Sequence, residues 1–139
     1  MKLEDDHYCF ACGTENPEGL HLSFEKGGRG VLALFTAEKR HQGYRDMVHG
    51  GIISTILDEA MAHAAIKAGH YPVTAEISVR FTSALMIGQK VQVEAWIEGD
   101  PPAGHDEKRK RRLFDAASEL RTWPDGGLVA SAKAKLIQP

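Results

Sequence analysis

Two glycines, two adjacent carboxylates and two histidines share one stretch of this sequence: His49-Gly50-Gly51, then Asp58-Glu59, then His63. The first turn of a helix leaves peptide N–H groups without intrahelical partners. Glycines at a helix start would therefore offer donors to an anion or to a carbonyl oxygen gaining charge. A carboxylate further along can serve as general base or nucleophile. Other chemistries are poorly provided for. Ser54 and Ser78 lie in no nucleophile-elbow sequence, and the spacing of cysteines and histidines gives no adequate metal-ligand cluster, so no metal or cofactor is expected.

The element that must position these groups is a helix. Ile52, Ile53, Ile56, Leu57, Ala60, Met61, Ala64 and Ala65 recur at intervals of three and four, an apolar stripe on one helical face. Gly50 and Gly51 open it and Gly69 is placed to close it in a left-handed conformation. It is the only long helical pattern in the chain. Asp58 and Glu59 fall in mid-helix, where the dipole gives a carboxylate no advantage. Successive residues project about 100° apart, so only one of the two can face a given site.

His49-Gly50-Gly51 followed by Asp58 resembles the active-site segment of the hotdog-fold acyl-CoA thioesterases, in particular the phenylacetic-acid-pathway group. The resemblance extends to Cys9-Phe10-Ala11-Cys12-Gly13, to Asn16-Pro17-Glu18-Gly19-Leu20 and to Thr74–Phe81. It implies that the Gly50 N–H, with Gly51 as a possible second donor, polarises a thioester carbonyl and that Asp58 is base or nucleophile. It also implies an acyl-CoA partner, and a homo-oligomer that is a dimer or a dimer of dimers. His49 would shape the helix entrance. Some members carry an asparagine in the preceding loop; here Gln42 is the stand-in. Thr74 and Glu76 enter the strand that the resemblance puts near the site and would orient water or the carrier. A non-catalytic acyl-CoA binding or sensing domain is the alternative from another class. A hotdog hydratase is disfavoured, because its Asp and His pair is not recognisable.

Composition narrows the partners. The 139 residues, 42% hydrophobic with a formal charge of −2, suit one hotdog domain over 1–139 and give no basic field for nucleic acid. No apolar run reaches membrane-span length, and Met1–Asp6 is too acidic for a signal peptide, so a cytoplasmic protein is expected. The two cysteines, Cys9 and Cys12, form a single C-x-x-C pair near His7 and His21. A structural zinc site wants four ligands, so one pair signals metal only if a histidine or second subunit completes it. A packed, reduced turn is the expectation.

Alternation supplies the remaining elements. Leu20, Leu22 and Phe24 face one way, and after the Gly27–Gly30 turn Val31–Phe35 returns as a second strand. Val73–Phe81 alternates strictly, Val91–Ile97 follows the Gly88-Gln89 turn, and Leu113–Thr122 with Leu128–Ile137 form a hairpin through Asp125-Gly126-Gly127. Six strands and one long helix predict an α+β fold, an antiparallel sheet wrapped around the helix. The run Lys108-Arg109-Lys110-Arg111-Arg112 could grip carrier phosphates, with a solvated loop as the favoured reading.

Spacing also predicts assembly. Eight helical residues separate Gly50 from Asp58, about 12 Å, whereas an attacking atom must come within about 3.5 Å of the carbonyl carbon. One helix cannot supply both groups to one substrate. Two helices antiparallel across a two-fold axis can, which predicts at least a dimer with two sites at the subunit boundary. His63 is expected at a surface or interface.

Overall fold

The computed structural model describes residues 3–99 and 112–139, with Arg112 described by its backbone. The chain forms strands β1 (Glu25–Gly27) and β2 (Gly30–Thr36), a short 3-10 turn at Lys39–His41, and helix α1 (Gly50–Lys67). Strands β3 (Val73–Phe81), β4 (Lys90–Glu98), β5 (Arg112–Thr122) and β6 (Leu128–Gln138) follow. The six strands make one sheet in the order β1-β2-β4-β5-β6-β3, antiparallel throughout. The expected α+β wrap is what the chain adopts. The basic run at 108–111 lies outside the described residues.

The apolar stripe decides where the helix sits. Ile53, Ile56, Leu57, Ala60, Met61, Ala64 and Ala65 are buried, and Ile52 packs partly against the same core. The strands meet them with small side chains, Ala95, Ala116, Ala130, Ala132 and Ala134, all buried. Small residues let the sheet curl closely around a helix at interior density. The helix stops as its sequence predicts. Gly69 takes φ 92°, its N–H bonds to the Ile66 carbonyl at 3.0 Å, and the His70 N–H reaches Ala65 at 2.9 Å, the two bonds of a Schellman ending. In mid-helix the Ser118 hydroxyl donates to the Leu57 carbonyl at 3.2 Å and fixes β5 beside Asp58.

The first expected strand is corrected. Leu20, Leu22 and Phe24 are buried while His21 and Ser23 are exposed, yet β1 begins only at Glu25. The Leu20 and Leu22 N–H groups are spent on the carbonyls of Phe10 and Ala11, at 2.8 and 2.9 Å. His21 sits at φ 54°, a left-handed conformation that interrupts a strand. The alternation is real, but its backbone partner is the amino-terminal turn.

Strand β3 matters most for the site. It lies at the sheet edge beside β6, and Val73, Ile77 and Phe81 along it are exposed. Thr74 pairs with Leu136 but Glu76 pairs with Lys135, so Ala75 is an extra residue, a bulge. A bulge re-aims the side chains on either side of it. Among the described residues no helix is long and apolar enough to cross a membrane.

Candidate functional site

The start of α1 leaves one donor free. His49 is the N-cap, and its Nδ1 accepts the Gly51 N–H at 2.8 Å. The Ile52 N–H is taken by the His49 carbonyl at 3.0 Å. Among the described residues the Gly50 N–H alone in this turn has no partner. Gly51, the expected second donor, is engaged within the turn. Its N–H is already spent on the cap, which also fixes His49 as the tautomer protonated on Nε2.

Gly50 opens onto an open groove of about 540 Å³ lined by Gln42, Gly43, Tyr44, Met47, Val48, His49 and Gly50. Three expected site residues, Gln42, His49 and Gly50, thus come together. The Gln42 carbonyl oxygen is committed to its own loop, accepting from the Asp46 N–H at 2.9 Å and the Lys39 ammonium at 2.7 Å. Its amide NH2 is the end left to meet a ligand. Beside the same glycine lies a residue that the sequence did not single out. A Cβ built on Gly50 would sit 3.4 Å from the Phe81 ring, so an exposed aromatic edge forms one wall at the helix start. The only sequence signal for it was its place at the end of an alternating strand.

Asp58 is half-buried, and the Thr74 hydroxyl donates to its Oδ1 at 2.7 Å. That bond orients the carboxylate and leaves Oδ2 without a protein partner among the described residues. Thr74 therefore reaches the helix, and Glu76 does not. Strict alternation would put Thr74 and Glu76 on one face, but the Ala75 bulge sends them to opposite faces. Glu76 lines a groove on the outer side of the sheet with Ser78, Glu98, Asp115, Lys133 and Lys135. Ser54 is equally removed from chemistry, its hydroxyl donating to the Gly50 carbonyl at 2.9 Å.

Both ends of the candidate site touch the same exposed strand. Thr74, near the start of β3, holds Asp58, and Phe81, at its end, lies against Gly50. Residues 46–99, which span the helix and this strand, match the model of the family described as Thioesterase superfamily. The chain has the hotdog fold, and over this segment it is similar to the thioesterase superfamily.

Hotdog structures superpose on most of the chain. Zebra fish thioesterase superfamily member 2 does so with a TM-score of 0.74, covering 92% of this chain and 90% of that one at 16% identity. A hypothetical thioesterase protein of Streptococcus pneumoniae TIGR4, solved with coenzyme A, gives 0.71 over 85% of each chain at 16% identity. The E. coli PaaI protein, from the phenylacetic acid degradation operon, gives 0.69 over 84% of this chain and 82% of that one at 17% identity. In sequence, 38 residues are 47% identical to part of an uncharacterized protein of Schizosaccharomyces pombe, covering 27% of this chain but only 22% of that protein.

Glu59 takes the other side of the hotdog helix, as its angular offset from Asp58 requires. Its Oε1 lies 3.7 Å from the Cys9 sulfur and 3.2 Å from His63 Nε2. The His63 ring stacks on Phe24 with centroids 4.4 Å apart. Burial opposes ionisation of Glu59, but hydrogen bonds from His63 and Cys12 outweigh it and hold the carboxyl below its ordinary range. Burial first, and then the adjoining carboxylate, push the Cys12 thiol up.

Proposed function

We propose that the protein hydrolyses an acyl-CoA or related acyl-carrier thioester at a site shared between two subunits. The observation that carries this reading is the placement of the free Gly50 N–H and the oriented Asp58 carboxylate at opposite ends of one exposed edge strand. The thioester carbonyl oxygen would accept from the Gly50 N–H, where the helix dipole favours developing negative charge. The partner's carboxylate would activate water, or attack directly, from the opposite side of the carbonyl. Its own Gly50 is about 12 Å away along the helix and cannot reach the same atom.

The edge strand supports a specific pairing. Antiparallel addition of β3 to its copy, centred near Ile77 and Ser78, brings Thr74 of one chain opposite Phe81 of the other. Each Asp58 then stands beside the other chain's Gly50. The same pairing satisfies the open backbone groups of β3 and covers Val73, Ile77 and Phe81, which an exposed edge would otherwise leave as an aggregation hazard. The acyl chain would run between the subunits past Phe81. The coenzyme A in the streptococcal relative supports CoA as the carrier.

Free-thiol release from a panel of short, long, branched and aromatic acyl-CoAs tests this reading. Turnover of at least one class is expected, and ligand binding with no thiol release across the panel would leave a binding domain. Thr74→Val removes the hydroxyl while keeping strand shape. A hydrogen bond to a charged group is worth about 1.5–3 kcal/mol, so kcat is expected to fall about tenfold or more with KM little changed, and Thr74→Ser should restore it. An unaltered kcat in Thr74→Val would remove Thr74 from the site.

A further inference from the structure

The amino-terminal turn and the far face of the helix form a second constellation, independent of the thioester reading. Cys9, Cys12 and Glu59 place their ligand atoms within 4.8 Å of one another, and His63 Nε2 lies 3.2 Å from the same Glu59 oxygen. We propose that Cys9, Cys12 and Glu59 are ligands of a zinc ion that fastens the amino-terminal turn to α1, with His63 orienting the Glu59 carboxylate from outside the ion.

Distances favour coordination over a set of ordinary hydrogen bonds. With the usual zinc bond lengths, tetrahedral ligands stand about 3.6 Å apart for S···O. The Cys9 sulfur is 3.7 Å from Glu59 Oε1. That value is long for a thiol donating to a carboxylate, but it is the edge of such a tetrahedron. The backbone agrees. The N–H groups of Ala11 and Cys12 turn toward the Cys9 sulfur at 3.3 and 3.5 Å, donors that stabilise a thiolate. Gly13 closes the turn with its N–H on the Cys9 carbonyl at 2.8 Å. A Cβ there would collide with the backbone of Cys9 and His7, so the glycine permits the tight loop that brings both sulfurs to one side.

Ligand chemistry selects the ion. Two thiolates and a carboxylate suit zinc, a borderline-soft cation without geometric demand of its own. His63 Nε2, 3.2 Å from Glu59 Oε1, holds that carboxylate in place, and Phe24 stacked on the His63 ring fixes the ring. Asp58 points to Thr74 instead and takes no part. The ion would link residues 50 positions apart in sequence and hold down the turn whose carbonyls accept from Leu20 and Leu22.

The test needs no enzymatic activity. Protein purified under reducing conditions without chelator is expected to carry one zinc per chain by elemental analysis. After stripping, cobalt(II) should give the ligand-field bands of a tetrahedral ion together with thiolate-to-cobalt charge transfer. Chelator should lower Tm by about 5 °C or more, because the ion binds the folded chain alone. Glu59→Gln, and His63→Phe, which keeps a ring stacked on Phe24, should each weaken zinc binding at least tenfold, and Cys9→Ser with Cys12→Ser should abolish it. Reduced wild-type protein that takes up neither zinc nor cobalt would overturn the proposal without recourse to any variant. So would a cobalt spectrum lacking thiolate charge transfer, or a Cys9–Cys12 disulfide in protein isolated from cells.

Discussion

Asp58→Asn is expected to lower turnover by about a hundredfold or more, the usual scale for a positioned acid–base group, with the fold intact. Asparagine has the same shape, and its carbonyl oxygen can still accept from the Thr74 hydroxyl that now sits 2.7 Å from Oδ1. The substitution therefore removes the charge and the proton acceptor while preserving the local geometry. Glu59→Gln is the matched control. Glu59 faces Cys9 and His63 across the helix, so its loss should cost stability and leave turnover within a few-fold of wild type. Steady-state thiol release, normalised to the folded fraction, decides between the two. Equal losses in both variants would mean that the reactive carboxylate has been misassigned.

The helix and the position of its two acids were legible because a 3.6-residue period needs only local sequence. Its buried residues are those of the stripe, apart from partly buried Ile52. The hairpin of β5 and β6 was equally plain, since the turn residues and the alternation agree. Local pattern failed where a distant partner or one extra residue intervened. Leu20–Phe24 alternates like a strand, but its N–H groups at 20 and 22 are drawn to the amino-terminal turn. Thr74 and Glu76 share a parity in sequence, and a single bulged residue at Ala75 sends them to opposite faces. Nothing at residues 73–81 announces that bulge.

The capping of Gly51 was hidden for another reason. A histidine before two glycines reads as a helix entrance, but which N–H its ring accepts is settled by a rotamer and a tautomer. The gathering of Cys9, Cys12, Glu59 and His63 was more remote still. A lone C-x-x-C is a weak metal signal without further ligands, and Glu59, with His63 one turn beyond it, lies on a helix about fifty residues downstream. Only the wrapping of the amino-terminal turn around α1 brings them together.

The shared site makes its largest prediction for a mixture of two crippled chains. Gly50→Pro removes the free N–H yet suits its position. Proline is tolerated in the first helical turn, His49 before it already has extended backbone at φ −61° and ψ 133°, and a Cβ at residue 50 meets the Phe81 ring at an ordinary 3.4 Å. Gly50→Pro and Asp58→Asn should each be nearly inactive alone. In a dimer of one with the other, one site receives both lesions and its counterpart receives neither. Random exchange of equal amounts makes about half the dimers mixed, so roughly a quarter of all sites should regain wild-type turnover, as a two-fold interface requires. The deciding measurement is thiol release from that mixture, alongside an exchange assay showing that the chains have mixed. Recovery to about a quarter of wild-type activity is the predicted result; a fully exchanged mixture no more active than its separate components would contradict a site shared between subunits.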